Sequence, residues 1–205
     1  MSVSKYDVKY FDEAFFTGKK GLMQKRNQDG GQFYGFAVAM FQEYGKKNNS
    51  WLEVGCGWGW RMRHLQNLGE AITGFDVGEY AIKNNVAKGA YVDNILDLSN
   101  VISSDIVFTV NVIEYLDPKD VQTALKNLWA LTRKHLLFSV VCTDSDCLKD
   151  QHIDERLYWE GTARLTRKPM KWWEGQFKKA GIWKFYNKKL SKKFGWDAFW
   201  IFDKR

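Results

Sequence analysis

The sequence predicts an α/β fold: a doubly wound, seven-stranded, mostly parallel sheet with a C-terminal antiparallel hairpin and an N-terminal helical cap. Three observations carry this expectation. An apolar run at Trp51, Leu52 and Val54 breaks into three alternate glycines, Gly55, Gly57 and Gly59, and a helical pattern at Met62, Leu65 and Leu68 follows at once. Short apolar runs then alternate with helical patterns as far as Cys142, the order of a βαβ sheet. Finally, Ile182–Tyr186 and Ala198–Asp203 alternate in the manner of two strands joined by a lysine-rich turn.

Composition sets the bounds. A chain of 205 residues with 45% hydrophobic and 16% aromatic residues can bury one full core, so a single domain over 1–205 is expected, a cap over 1–48 and a core over 49–205. The net charge of +7 points to an anionic partner or surface. No apolar run approaches the ~18 residues of a membrane span, and Met1–Asp7 has no signal-type apolar core. Cys56, Cys142 and Cys147 form neither a CxxC pair nor a disulfide set. The expected setting is soluble, reducing and cytoplasmic, without a metal site.

In chain order, the cap begins with an aromatic cluster, Tyr10, Phe11, Phe15 and Phe16. A helix follows on Phe33, Phe36, Ala37, Met40, Phe41 and Tyr44, closed by Gly45. The basic loop between them, with Arg26, either simply joins two packed helices or closes over a ligand. After the glycine turn and its helix comes a second strand, Ala71–Phe75, with Asp76 at its C-terminal end. A carboxylate there can accept hydrogen bonds from ribose hydroxyls; the competing reading is a cap for the helix begun by Ala81, Ile82 and Val86. Gly89 stops that helix, and Ala90–Val92 starts a third strand.

Asp105–Val110 is a fourth, almost wholly apolar strand. Asp117-Pro118 then marks a helix start, with Val121, Leu125, Leu128 and Thr132 facing inward, and His135–Cys142 makes a fifth strand. A charged insert over Thr143–Lys168 precedes Pro169, which opens a helix on Met170, Trp173, Phe177 and Ala180; Gly181 ends it.

The glycine spacing selects the ligand. A dinucleotide fingerprint needs glycine at the sixth position, and that position is Trp60. The stretch Glu53-x-Gly55-x-Gly57-x-Gly59 resembles instead the acid-x-Gly-x-Gly-x-Gly motif of the class I methyltransferases that use S-adenosylmethionine. The resemblance covers about residues 50–203 and implies a Rossmann-like domain. It places Glu53, Gly55, Cys56, Gly57, Trp58 and Gly59 around the methionine part of the cofactor, and Asp76 with Val77 at the ribose. In the family an acid after strand three holds the adenine amino group; here Asn94 takes that place, with Ile95 supplying the next amide and Asp93 one position early. Asn111 and Val112 fall beneath the sulfonium. Glu114 matches the family glutamate, whereas Tyr115 replaces the usual histidine. Asp150-Gln151-His152-Ile153, ahead of a tryptophan-bearing helix that ends in Ala-Gly, is similar to the substrate-side loop of small-molecule and sugar methyltransferases.

Methyl transfer needs the acceptor atom held in line with the methyl group and, for a hydroxyl, a base. His152 suits that task, with a pKa ordinarily near 6.5; Glu114 and Tyr115 compete with it, while His64 and His135 suit cap or surface roles. The expected activity is methylation of an oxygen or nitrogen on a small molecule or saccharide, anionic ones included. Eleven Lys or Arg residues lie between Arg164 and Lys193 among aromatics, which keeps an RNA methyltransferase open as the alternative. The stretch after strand four is Asn-Val-Ile-Glu, not the Asn/Asp-Pro-Pro-Tyr of amino-methylating DNA enzymes, and no Pro-Cys stands there. An inactive cofactor-binding partner subunit and an NAD-dependent oxidoreductase are the remaining rivals.

Overall fold

The Gly-rich turn does sit between a buried strand and a helix. The computed structural model describes residues 10–16, 34–45, 48–99, 103–144, 164–189 and 198–204. They group into two units, 1–100 and 101–205.

In the first unit, strand β1 (Ser50–Val54) pairs in parallel with β2 (Ala71–Asp76), from Ser50 opposite Ala71 to Val54 opposite Phe75. β2 pairs in parallel with β3 (Ala90–Val92). Trp51, Leu52 and Val54 are all buried, as a strand covered on both faces requires. Helix α1 spans Glu13–Phe16 and α2 spans Tyr34–Tyr44. Phe36, Ala37, Met40 and Tyr44 are its buried face, the i, i+4, i+8 spacing expected of it. Helix α3 (Trp60–Asn67) buries Met62 and Leu65. Gly74 lets α3 approach β2: a Cβ there would lie 2.6 Å from Met62 Sδ and 2.9 Å from the Glu53 carbonyl. Helix α4 is shorter than expected, Glu79–Lys83. Beyond it Val86 donates its N–H to the Trp58 carbonyl and Asn85 Nδ2 bonds the Gly57 carbonyl. These tertiary bonds take the place of another helical turn.

In the second unit, β4 (Ser104–Val110) and β5 (Thr132–Ser139) are parallel, and β6 (Phe199–Asp203) runs antiparallel to β5. Helix α5 covers Val121–Leu131. It starts later than Asp117-Pro118 suggested, because Asp117 is spent on a preceding turn: its Oδ1 accepts the Lys119 N–H and its carbonyl accepts the Asp120 N–H. β5 likewise begins at Thr132 rather than His135, since Thr132 closes α5 through Oγ1 to the Leu128 carbonyl and enters the strand directly.

Helix α6 (Met170–Lys179) follows Pro169 as expected. It buries Trp173 and Phe177, and Gly181 at φ 73 lets the chain turn back. The strand expected at Ile182–Tyr186 is a 3-10 turn, Trp183–Phe185. Side chains three apart eclipse in that geometry. Trp183 and Tyr186 accordingly stack at 4.7 Å, with Trp183 also parallel to Phe177. An aromatic stack had the look of strand alternation. The described strands therefore number six, mostly parallel with a C-terminal antiparallel pair, rather than seven.

Candidate functional site

The cradle in the first unit is made by backbone conformation. Gly55, Gly57 and Gly59 have φ values of 75, 50 and 76, the left-handed region that side chains disfavour. The Gly55 and Cys56 N–H groups both donate to the Phe75 carbonyl, at 2.8 and 3.0 Å, tying the turn to the end of β2. Asn85 closes its back: a Cβ on Gly59 would collide with the Asn85 amide. Thus both chirality and packing require glycine at position 59.

Asp76 joins two turns. Its Oδ2 accepts the Gly57 N–H at 2.9 Å and its Oδ1 accepts the Gly78 N–H at 2.8 Å. Burial raises its pKa, opposed by the amides of Gly78, Gly57 and Val77. Each oxygen keeps a second lone pair, so a carboxylate fixed in this way remains an acceptor for hydroxyl groups. Phe16 of α1 packs against the same corner. Its ring lies 3.7 Å from where a Gly57 Cβ would be and 2.7 Å from that of Gly78, and it meets Trp58 edge-on at 6.1 Å. Trp58 in turn meets Tyr80 at 5.9 Å, and its indole Nε1 is buried without a partner.

Glu53 lies behind the cradle. It is fully buried; Oε1 pairs with Arg61 Nε at 2.6 Å and Oε2 has no partner. Burial pushes its pKa up, and Arg61 pulls it partly back. Cys56, wedged between Asp76 and Glu53, has its thiol pushed well above the usual range by burial and by those two carboxylates. At the end of β3, Asp93 is buried and Oδ1 accepts the Asn94 N–H at 2.8 Å. Asn94 is half-buried with Oδ1 on the Leu96 N–H, and Ile95 is buried beside it. So Asn94, not Asp93, is the partly exposed polar group of this turn.

The second unit holds a different constellation. Asn111 takes φ 57, a left-handed value for a non-glycine residue, and donates its N–H to the Ser139 carbonyl. Val112 follows, and Ile113–Tyr115 forms a 3-10 turn. Glu114 is fully buried. Its Oε1 accepts from Arg164 Nε and the Val141 N–H, both at 3.4 Å, and its carbonyl accepts the Leu165 and Thr166 N–H groups. Burial drives its pKa up while Arg164 opposes the shift. The Arg164 guanidinium also lies 5.0 Å from the Tyr115 ring centroid. Glu114 has no exposed surface, and an ion pair with Arg164 occupies its carboxylate. Tyr115 is half-exposed. His152, with Asp150, lies outside the described residues, as do Arg26, Cys147, Lys192 and Lys193.

His135 is structural, bonded to its cross-strand neighbour Asp203 at 2.9 Å. Arg61 and Arg164 are the site residues that sequence reasoning missed. Arg61 follows the glycine turn at the start of α3, a weak local signal for pairing with Glu53. Arg164 stands fifty positions from Glu114, and nothing local connects them.

The family model described as a methyltransferase domain matches residues 23–197. Among solved structures, magnesium protoporphyrin IX methyltransferase from Synechocystis PCC 6803, with S-adenosylhomocysteine bound, aligns with TM-score 0.65 at 15% identity, covering 96% of this chain and 97% of that one. A Pyrococcus horikoshii OT3 protein aligns with TM-score 0.65 at 13% identity over 98% and 100%. A SAM-dependent methyltransferase from Archaeoglobus fulgidus aligns with TM-score 0.56 at 16% over 76% and 70%. No curated protein matches the sequence. Likenesses at these identities establish a shared fold, Rossmann-like, and leave the acceptor open.

Proposed function

Because this chain belongs to the methyltransferase domain family and is an enzyme with S-adenosylmethionine as cofactor, we propose that it methylates an oxygen or nitrogen atom of a small molecule or saccharide. The cofactor supplies an electrophilic methyl group for in-line displacement; the chain binds, orients and excludes water. One observation carries the reading of the cofactor site: three left-handed glycines with the Asp76 carboxylate held on the Gly57 amide. The residues fit the cofactor. Gly57 leaves its backbone open to a ligand except toward Phe16, and Asp76 has acceptor capacity left for both ribose hydroxyls. In this reading Asn94 and the backbone at Ile95 take the adenine edge, and Val77 lines the ribose beside Asp76. Glu53 acts from behind, through Arg61 and the turn, since its carboxylate has no exposed surface. In the second unit, Tyr115 is the half-exposed polar group beside Arg164, while Asn111 and Val112 are assigned to the sulfonium by the family resemblance alone. His152 keeps the base role as part of this proposal.

The Asn-Val-Ile-Glu stretch at 111–114 differs from the Asn/Asp-Pro-Pro-Tyr of amino-methylating DNA enzymes, which leaves small-molecule and RNA acceptors as the two readings. Calorimetric titration with S-adenosylhomocysteine, with NAD as control, tests the cofactor site. Micromolar binding of the first alone is expected. Binding of neither, or of NAD, would sink the reading. His152→Ala at near-wild-type turnover across pH would remove His152 from it.

A further inference from the structure

The charge of this protein is segregated. Residues 164–189 carry nine Lys or Arg and one acid, Glu174; the chain as a whole has a net charge of only +7, so the remainder is close to neutral. Lys171, Lys178, Lys179, Lys184, Lys188 and Lys189 are all exposed. Lys171 and Lys178 stand seven positions apart, two turns along one face of α6, roughly 10 Å by helical rise. Lys178 Nζ lies 5.1 Å from the Trp183 ring centroid, and Trp183 stacks on Tyr186, which leads into Lys188 and Lys189. Lys184 Nζ lies over Phe185 at 5.1 Å. Lys178 and Lys184 thus stand over aromatic rings, with Lys171 on the same face of α6 as Lys178 and Lys188 and Lys189 just beyond Tyr186.

We propose that this face docks the phosphodiester backbone of a nucleic acid, held by charge and not by base recognition. The rings argue for that mode. Trp183 is covered by Phe177, Tyr186 and Lys178, and Phe185 by Trp129 and Lys184. Base stacking needs an open ring face, and these are occupied within the protein. Lysine is a point charge that neutralises phosphate without bidentate geometry. An anionic bilayer fits less well. Stable interfacial binding needs apolar anchors beside the charge, and among the described residues the exposed large apolar side chains are Tyr34 and Val92, both of the first unit. A duplex presents a negative charge about every 1.7 Å of axis, so charge alone suffices there. This docking goes beyond the methyl-transfer reading and stands or falls separately from it.

The experiment measures binding of full-length protein to a fluorescent 30-base-pair RNA duplex by anisotropy, from 25 to 300 mM salt. With about 0.9 counterions released per phosphate, six lysines give a log–log salt slope near −5. Replacing Lys178→Gln, Lys179→Gln and Lys184→Gln together lowers it to about −2.5; Lys171→Gln with Lys189→Gln, lowering it to roughly −3.6, serves if the triple variant fails to fold. A DNA duplex of the same length tells which nucleic acid is the source, and changing base sequence leaves the affinity within twofold. A wild-type slope weaker than −1, a slope unmoved by the variants, or tighter binding to vesicles with 30% phosphatidylserine would overturn the proposal. S-adenosylhomocysteine titration of the same variants is expected to match wild type, which separates failure of this surface from failure of the cofactor site.

Discussion

Removing Arg164 leaves the Glu114 carboxylate buried without its cation, and the consequence can be worked from the geometry. Glu114 is 0% exposed and Arg164 8%, so solvent screens neither. Breaking such a pair from one side costs about 3–5 kcal/mol. With an m-value of roughly 2–3 kcal/mol/M, Arg164→Met lowers the urea midpoint by about 1–2 M. Glu114→Leu alone strands the guanidinium and is expected to cost a similar amount. The double variant removes both charges and the orphaned Oε2 together, and recovers most of the loss, because apolar replacement of a buried pair is close to neutral. The pH dependence has a definite sign. Burial already raises the folded-state pKa of Glu114, and loss of Arg164 raises it further. A carboxyl with a raised folded pKa is most favourable below its unfolded pKa and loses that stability as pH rises through the folded one. Arg164→Met is therefore damaged more at pH 8 than at pH 5. The assay is urea unfolding by tryptophan fluorescence at both pH values for the four proteins. Additive single costs, or an Arg164→Met loss below about 1 kcal/mol that ignores pH, would refute the buried-pair account.

Three further outcomes are expected. Asp76→Ala removes the carboxylate that accepts from a ribose hydroxyl, a charge-assisted bond worth about 1.5–3 kcal/mol, so S-adenosylhomocysteine affinity falls roughly 10–100-fold; unchanged affinity with an intact melting curve would end the ribose assignment. Gly59→Ala meets Asn85 and a left-handed φ, at a cost of about 1–3 kcal/mol, checked by thermal unfolding. Cys56 is buried with its pKa pushed up, so iodoacetamide at pH 8 labels it only after denaturation; mass spectrometry showing rapid native labelling would contradict the thiol's environment.

Much of this chain was legible locally, because its signals are backbone constraints and short-range patterns. Gly55, Gly57 and Gly59 can only mean a turn that side chains would block, and the strand ahead of it reads as buried from Trp51, Leu52 and Val54. Pro169 and Gly181 bracket α6 for reasons contained in those residues. The Lys-rich composition of 164–189 was equally plain. What the tertiary structure decided is where each polar group goes. Only packing across fifty residues joins Glu114 to Arg164 and turns an expected acid–base group into half of an ion pair. Only the approach of the β2 turn to the glycine turn gives Asp76 its bond to the Gly57 amide, beside the local one to Gly78. And the strand expected at Ile182–Tyr186 became a 3-10 turn because Trp183 stacks on Phe177 and Tyr186. Alternation in sequence records that residues are apolar, but the partner that buries them chooses the backbone geometry.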